Sequence, residues 1–376
     1  MTEHEVAIIG GGIVGAATAY YLSRHNIRSI IVEPEEIAAK ASGLSYGGIV
    51  EVSGFAVPGA MWELGRYAAD LHTSLRNELG NESGIDCRYR DRDTLNLAFS
   101  HEESAQLGKS SEWINKSTAV RAEYIEPSQA LDLEPRLNSK LLGALLLQGT
   151  REVDSKCLTT ALAQSSGCDT LHRRANSLVA STTGIGVNLD DGTTLKAPIL
   201  VCANGTWVEP LLLSMDVNLP VPPLKGEILR LKTEGPPLFQ SIGWNGNYCT
   251  TKTDGLIWAG TTESNSGYDE MTTSSGRAEI LRNLAFVLPG LNVNEVARQT
   301  ACLRPTTPDG LPYIGPIPEH ANVFVGTGAG RKGILYGPAI GKVIADLIAS
   351  KNPEVDIGPF AIEQANRGPA TNLADR

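Results

Sequence analysis

The stretch "EVAIIGGGIVGAATAYYLSRH", residues 5–25, decides the fold. Its first part, Val6 to Ile9, is apolar without polar alternation, as expected of a short strand buried on both faces. Gly10, Gly12 and Gly15 then form G-x-G-x-x-G between that strand and a helix. In this context each glycine has a distinct use. Gly10 makes the tight turn, Gly12 lets backbone approach a pyrophosphate, and Gly15 permits close helix–strand packing. The helix start, at Ile13 and Val14, offers unpaired N–H groups and a partial positive charge to such an anion.

Working outward, "RSIIVEPE" predicts a second buried strand, closed by Glu33 and Pro34. Glu33 lies eighteen residues beyond Gly15, where an acid can hydrogen-bond a ribose hydroxyl and disfavours a 2′-phosphate. NADP is therefore not expected, while this motif by itself leaves FAD and NAD open. A second strand–turn–helix pattern, "NVFVGTGAGRKGILYGPAIGKVIADLIASK", occupies residues 322–351.

Between these units the pattern is mixed. Helices are expected over 60–82, 102–116 and 276–290, and a half-buried alternating strand over 86–100. Residues 124–137 read as a proline-containing link, and 143–167 as a strand, a loop and a helix. "LVASTTGIGVNLDDGTTLKAPILVCANG" (178–205) predicts a β-meander with a DDG hairpin turn, followed by a fully apolar strand. Further strands are expected in "PLKGEILRLK", "YCTTKTDGLIWAGTT" and "EVARQTACLRP".

Composition narrows the function. The chain has 376 residues, 41% hydrophobic and 20% charged, which suits a globular protein with a large core. A formal net charge of −10 disfavours nucleic acid and anionic membranes, both of which select basic faces, but not a small anionic substrate. The six cysteines show neither C-x-x-C pairs nor metal-ligand spacing, so a reduced compartment and no metal site are expected. The N-terminus carries acids and enters its first apolar run at once, so no signal peptide is expected. No apolar run is long enough to cross a bilayer, and a cytoplasmic protein is expected. A homo-oligomer is left open.

"ACLRPTTPDGLPYIG", residues 301–315, places Arg304 at the edge of a segment stiffened by Pro305, Pro308 and Pro312. Such stiffness suits a cation that must meet an anion in fixed geometry.

Together with "ASGLSYGG" (41–48), these blocks resemble the glycine oxidase and D-amino-acid oxidase/dehydrogenase family of flavoproteins, which includes sarcosine oxidases. The resemblance runs from the first strand to the last helix. It implies an α/β fold, α+β overall: a discontinuous Rossmann-like FAD-binding domain with an inserted substrate domain on a mostly antiparallel sheet. The FAD-binding domain is expected over 1–80, 142–216 and 306–363, the substrate-binding domain over 81–141 and 217–305, and a polar tail over 364–376.

The resemblance also implies site residues. Ala41, Ser42, Tyr46, Gly47 and Gly48 match the loop beneath the flavin, although the tyrosine and the double glycine depart from the commoner small-residue pattern. Ser177 and the turn Ala329, Gly330, Arg331, Lys332, Gly333, Ile334 and Leu335 complete the cofactor set. Arg304 matches the arginine that pairs with the substrate carboxylate, Tyr248 a tyrosine that also touches it, and Arg331 a second nearby arginine. Lys225, Arg230 and Lys252 are candidates for a second carboxylate, with solvated charge the favoured reading.

The implied reaction is hydride transfer to FAD from the α-carbon of a small amino acid or N-substituted amino acid, of glycine, sarcosine, D-amino acid or iminodicarboxylate type. Hydrolysis of the resulting imine then yields a 2-oxo acid and an amine or ammonia. No catalytic side chain is needed, and the histidines read as structural or surface residues. The flavin is then reoxidised by oxygen or by another acceptor, an oxidase being favoured over a dehydrogenase. The lysine that sarcosine oxidases carry in the region reading "WAGTTES" is absent here. Cys302 falls where some of them attach flavin covalently, but members with an L-R-P motif bind FAD without a bond, so non-covalent FAD is expected. The alternatives are a 2-hydroxy acid oxidoreductase on the same fold, a flavoprotein using FAD as a structural staple, and an NAD-dependent dehydrogenase.

Overall fold

Val6–Ile9 and Ser29–Val32 are buried throughout and pair in parallel, each large aliphatic side chain contributing about 1.5–3 kcal/mol by leaving water. They sit inside a six-stranded sheet ordered Tyr313–Ile317, His320–Thr327, Ile199–Cys202, Val6–Ile9, Ser29–Val32 and Asp169–Leu171. All its pairings are parallel except the hairpin of the first two strands. The chain is described by a computed structural model covering residues 4–51, 59–117, 120–181 and 184–364. Residues 365–376 of the expected polar tail lie outside the described residues, as do 182 and 183 in the meander.

Helices Ile13–Arg24, Ser155–Ser166 and Gly333–Ile348 share one apolar core on one face of this sheet. The first and last approach closely because Gly341 has no side chain: a Cβ there would stand 2.6 Å from Ala17 Cβ and 2.7 Å from the Thr18 nitrogen. The meander strands Ala175–Ser181, Gly184–Leu189 and Thr194–Ala197 and the short helix Val208–Leu212 contribute to a core on the other face.

A second, eight-stranded sheet runs Val293–Pro305, Pro223–Thr233, Ile257–Gly260, Asn247–Thr251, Ser241–Trp244, Thr94–Ala98, Gly143–Gln148 and Arg121–Ile125. Only Ser241–Trp244 with Thr94–Ala98 is a parallel pair. Helix Ser274–Val287 packs against its inner side chains through Ile280, Leu284 and Val287. The architecture is thus a Rossmann-like unit into whose sequence a mostly antiparallel sheet is inserted.

Three expectations are corrected. Residues 86–100 are not one alternating strand but two, Arg90–Asp91 and Thr94–Ala98, and four of the five residues in the second are buried because it lies inside the sheet. The link at 124–137 contains the helix Pro127–Leu133. Proline suits the first helical turn, and the Glu126 N–H donates to Gln129 Oε1 at 2.9 Å, capping the start. Gly143–Gln148, expected in the first domain, is hydrogen-bonded on both sides within the eight-stranded sheet.

Candidate active site

Ile9, Val32, Ala203 and Thr327 lie at or just beyond the carboxyl ends of four adjacent parallel strands and line one cavity of about 620 Å³. Crevices at such strand ends are where open α/β sheets bind ligands. Gly10 sits at φ +107°, and a Cβ there would press on the Ala203–Asn204 backbone. The Gly11 N–H donates to Glu33 Oε2 at 2.8 Å and the Glu35 N–H to Glu33 Oε1 at 3.0 Å. Each carboxylate oxygen keeps a lone pair for a further donor. Ser42 Oγ accepts from the Ile13 N–H at 2.9 Å, tying the 41–48 loop to the helix start.

Tyr46 leaves that loop to stack on Tyr248, with ring centroids 4.6 Å apart and planes at 25°. Its hydroxyl meets Ser241 Oγ at 2.8 Å. Gly47 holds φ +79°, where a Cβ would overlap the Val153 carbonyl. The Tyr46 and Val153 carbonyls both accept from Lys252 Nζ, at 3.0 and 3.2 Å.

Arg304 emerges near the end of the 293–305 strand, opposite Leu224, and its side chain is 12% exposed. The guanidinium lies across Gly226, whose missing Cβ makes the space. Nη2 donates to Thr261 Oγ1 at 2.7 Å; Nη1 is buried with no hydrogen-bond partner and stands 3.7 Å from Glu263 Oε1. Tyr248 pairs across the sheet with Gly243 and Gly260, and its buried hydroxyl also has no partner. Burial pushes the Tyr248 phenol far up, with the Arg304 charge opposing, so it keeps its proton and can donate. Arg331 is more exposed and gives both Nε and Nη2 to Glu263.

Most of the residues expected from sequence share this cavity. Gly10, Gly12, Ile13, Val14, Glu33, Pro34, Ala41, Ser42, Tyr46, Gly47, Gly48, Tyr248, Arg304 and Ala329 to Ile334 all line it. Three do not. Gly15 packs beneath the turn, where a Cβ would overlap the Gly10 carbonyl. Leu335 is buried in the core, and the Ser177 hydroxyl accepts from Asn188 Nδ2 at 3.0 Å on the meander. The neighbouring Arg174, Ala175 and Asn176 line the cavity instead, as do Asn204 and Thr261, none of which sequence reading had singled out.

The second-carboxylate candidates are also outside the lining. Lys225 and Lys252 are not solvated charges but buried ones: Lys225 Nζ reaches Asp269 at 2.7 Å, and Lys252 holds the flavin-type loop. Arg230 lies over the Trp258 ring at 3.8 Å. His72 is structural: burial lowers its pKa to about 4, and its Nε2 faces the Ile334 and Leu335 carbonyls, fixing the proton on that nitrogen.

The FAD dependent oxidoreductase family model matches residues 5–347. The chain belongs to this family. Glycine oxidase from Geobacillus kaustophilus is 29% identical over 366 residues, covering 96% of this chain and 97% of the relative. The crystal structure of glycine oxidase from the same organism superposes with a TM-score of 0.90 at 28% identity, over 96% of this chain and 99% of that one. D-amino acid dehydrogenase from Xanthobacter autotrophicus is 25% identical over 420 residues, 95% and 98% of the two chains.

The residues present fit the family's FAD. Four buried polar atoms without hydrogen-bond partners, Ser45 Oγ, Asn204 Oδ1, Tyr248 Oη and Arg304 Nη1, belong to residues lining this one cavity. Buried polar groups are rarely left so, and several around one cavity mark a polar ligand. Gly10, Gly12 and the Ile13 helix start would hold the pyrophosphate, Glu33 the ribose, and the 41–48 loop with the 329–334 turn the flavin. Among the described residues no helix is long and apolar enough to cross a membrane.

Gly226 yields a testable consequence. Gly226→Ala would displace the Arg304 guanidinium while leaving the Gly10–Gly15 turn untouched. Steady-state kinetics should show the substrate constant rising about tenfold with FAD content unchanged, the cost of a misplaced charge-assisted contact. An unaltered constant would mean that the guanidinium position is not needed.

Proposed function

We propose that the chain oxidises the C–N bond of a small amino acid or N-substituted amino acid through its α-carbon. The observation that carries this reading is the pair of unsatisfied donors, Arg304 Nη1 and Tyr248 Oη, brought together by Gly260 and Thr261. Two neighbouring buried donors call for a two-oxygen acceptor, and a carboxylate supplies it. The glycine oxidase and D-amino acid dehydrogenase relatives support an amine as the group oxidised.

FAD, when bound, supplies the two-electron acceptor for the α-carbon hydride. The protein's part is position and electrostatics. Arg304 holds the substrate carboxylate, with Nη2 braced by Thr261, so that the guanidinium cannot swing with the substrate. Tyr248, protonated and stacked on Tyr46, donates to the same carboxylate from a fixed ring plane. The amine enters neutral, so no side-chain base is required. Water hydrolyses the released imine to a 2-oxo acid and ammonia or amine. The six-stranded unit serves the cofactor and the eight-stranded sheet the substrate. In this reading FAD is held non-covalently; burial raises the Cys302 thiol, with the Arg304 charge opposing, and a protonated thiol is a poor nucleophile toward the flavin.

An anaerobic screen of glycine, sarcosine, D-alanine, D-proline and 2-hydroxy acids, read by flavin bleaching, tests the reading. An amino acid should bleach the flavin and release ammonia or amine, and air should then yield peroxide. Bleaching by 2-hydroxy acids alone would overturn it. Acid precipitation should leave the yellow colour in the supernatant.

A further inference from the structure

We propose that Glu263 restricts the site to substrates bearing a single carboxylate. The inference rests on the carboxylate reading of Arg304 given above. Arg304 and Arg331 both line the cavity and both approach Glu263, and a lone incoming carboxylate would not balance the two guanidiniums. Glu263 supplies the missing anion from the protein itself. Its two oxygens take Nε and Nη2 of Arg331 fork to fork, which uses up that edge of the guanidinium. Toward Arg304 the same carboxylate makes only an ionic approach, 3.7 Å from Nη1, and leaves that nitrogen without a hydrogen-bond partner.

The position of Glu263 is built in. Two residues before it, Thr261 Oγ1 accepts a hydrogen bond from Arg304 Nη2; just after it, Ser264 exchanges two backbone hydrogen bonds with Lys225, at 3.0 and 3.1 Å. The segment bearing Glu263, just beyond the Ile257–Gly260 strand, is therefore fixed at both sides. Within this trio, two positive charges and one negative leave one positive equivalent, at Arg304. The acids that line the cavity are engaged elsewhere: Glu35 and Glu270 by Lys40, each at 2.8 Å, and Glu33 by the Gly11 and Glu35 N–H groups. A second substrate carboxylate would find Arg331 taken and meet the Glu263 charge, a like-charge contact that discriminates against such ligands.

The test compares propionate with malonate and succinate, titrated calorimetrically into the FAD-loaded protein. Wild type should bind propionate about tenfold or more tightly than either diacid. Glu263→Gln should move the diacid-to-propionate ratio about tenfold toward the diacids by releasing Arg331. Arg331→Met should weaken propionate, because Glu263 loses its partner and turns to Arg304, and the double variant should restore it. This rescue gives a second arm should Glu263→Gln fold poorly, since a merely structural pair would not show it. A ratio unchanged within about threefold, or no rescue in the double variant, overturns the inference alone. Failure of propionate and both diacids to bind any variant overturns the carboxylate reading beneath it.

Discussion

Arg304→Met is expected to raise the apparent substrate constant about a hundredfold or more while the protein stays yellow. The substitution keeps the aliphatic stem across Gly226 and removes the charge and the planar fork. A charge-assisted bond contributes about 1.5–3 kcal/mol net, so losing the charged contacts to a carboxylate removes about 3–4 kcal/mol. At about 1.4 kcal/mol per tenfold, that is two to three decades. Turnover at saturation should fall as well, because a substrate held only by Tyr248 can rotate its α-carbon away from the flavin. The fold should survive. Glu263 retains Arg331, so no carboxylate is orphaned, and Thr261 Oγ1 loses a donor but keeps its contacts with the Glu227 and Thr262 carbonyls. Steady-state kinetics beside the bound-FAD absorbance would check both halves. Arg304→Lys should fall between, since an ammonium supplies charge without the fork. An unchanged substrate constant in Arg304→Met would end the carboxylate assignment.

What could be read from sequence was local chemistry. The turn Gly10–Gly15, the acid at Glu33 and the final helix each require particular residue types at fixed short spacing, and the structure brings Gly10, Gly12, Glu33 and the start of the final helix to one cavity. The prolines after Arg304 mark a stiff segment, and the structure places Arg304 in the cavity lining; its carboxylate role came from the family resemblance. The rest depends on contacts far apart in the chain. Nothing near Gly143–Gln148 tells that it pairs with Thr94–Ala98, and its apolar pattern suits either sheet. Pro127 and Pro135 hid a helix that needed proline only at its start. Lys225 and Lys252 read as solvated because lysine usually is. Their burial rests on Asp269 in one case and on two carbonyls and Glu152 in the other, partners that sequence spacing does not reveal. Gly226 carried no signal at all, since its role is to be absent beneath another residue's side chain.

That hidden cluster around Lys252 gives the second large effect. Glu152 is 1% exposed and pairs with Arg90 and, at 3.6 Å, with Lys252; the Arg92 charge lies in the same field. Glu152 is thus the anion in contact with this cation cluster, with Asp154 adding a weaker field at Lys252. Burial lowers the Lys252 pKa, and Glu152 is the main influence opposing that fall. Glu152→Gln keeps shape but leaves the cations repelling one another in a dry site. Breaking a buried pair in this way costs about 3–5 kcal/mol. The damage should reach the cofactor, because Glu152 is in register with Gly48 and Lys252 holds the Tyr46 carbonyl. Thermal melts should show a fall of several degrees, and FAD titration a dissociation constant raised about tenfold or more. Adding Lys252→Met should recover part of the stability by removing one uncompensated charge, although the Tyr46 and Val153 carbonyls then lack their donor. A melting temperature for Glu152→Gln within about 1 °C of wild type would show that the cations are balanced by solvent rather than by this carboxylate.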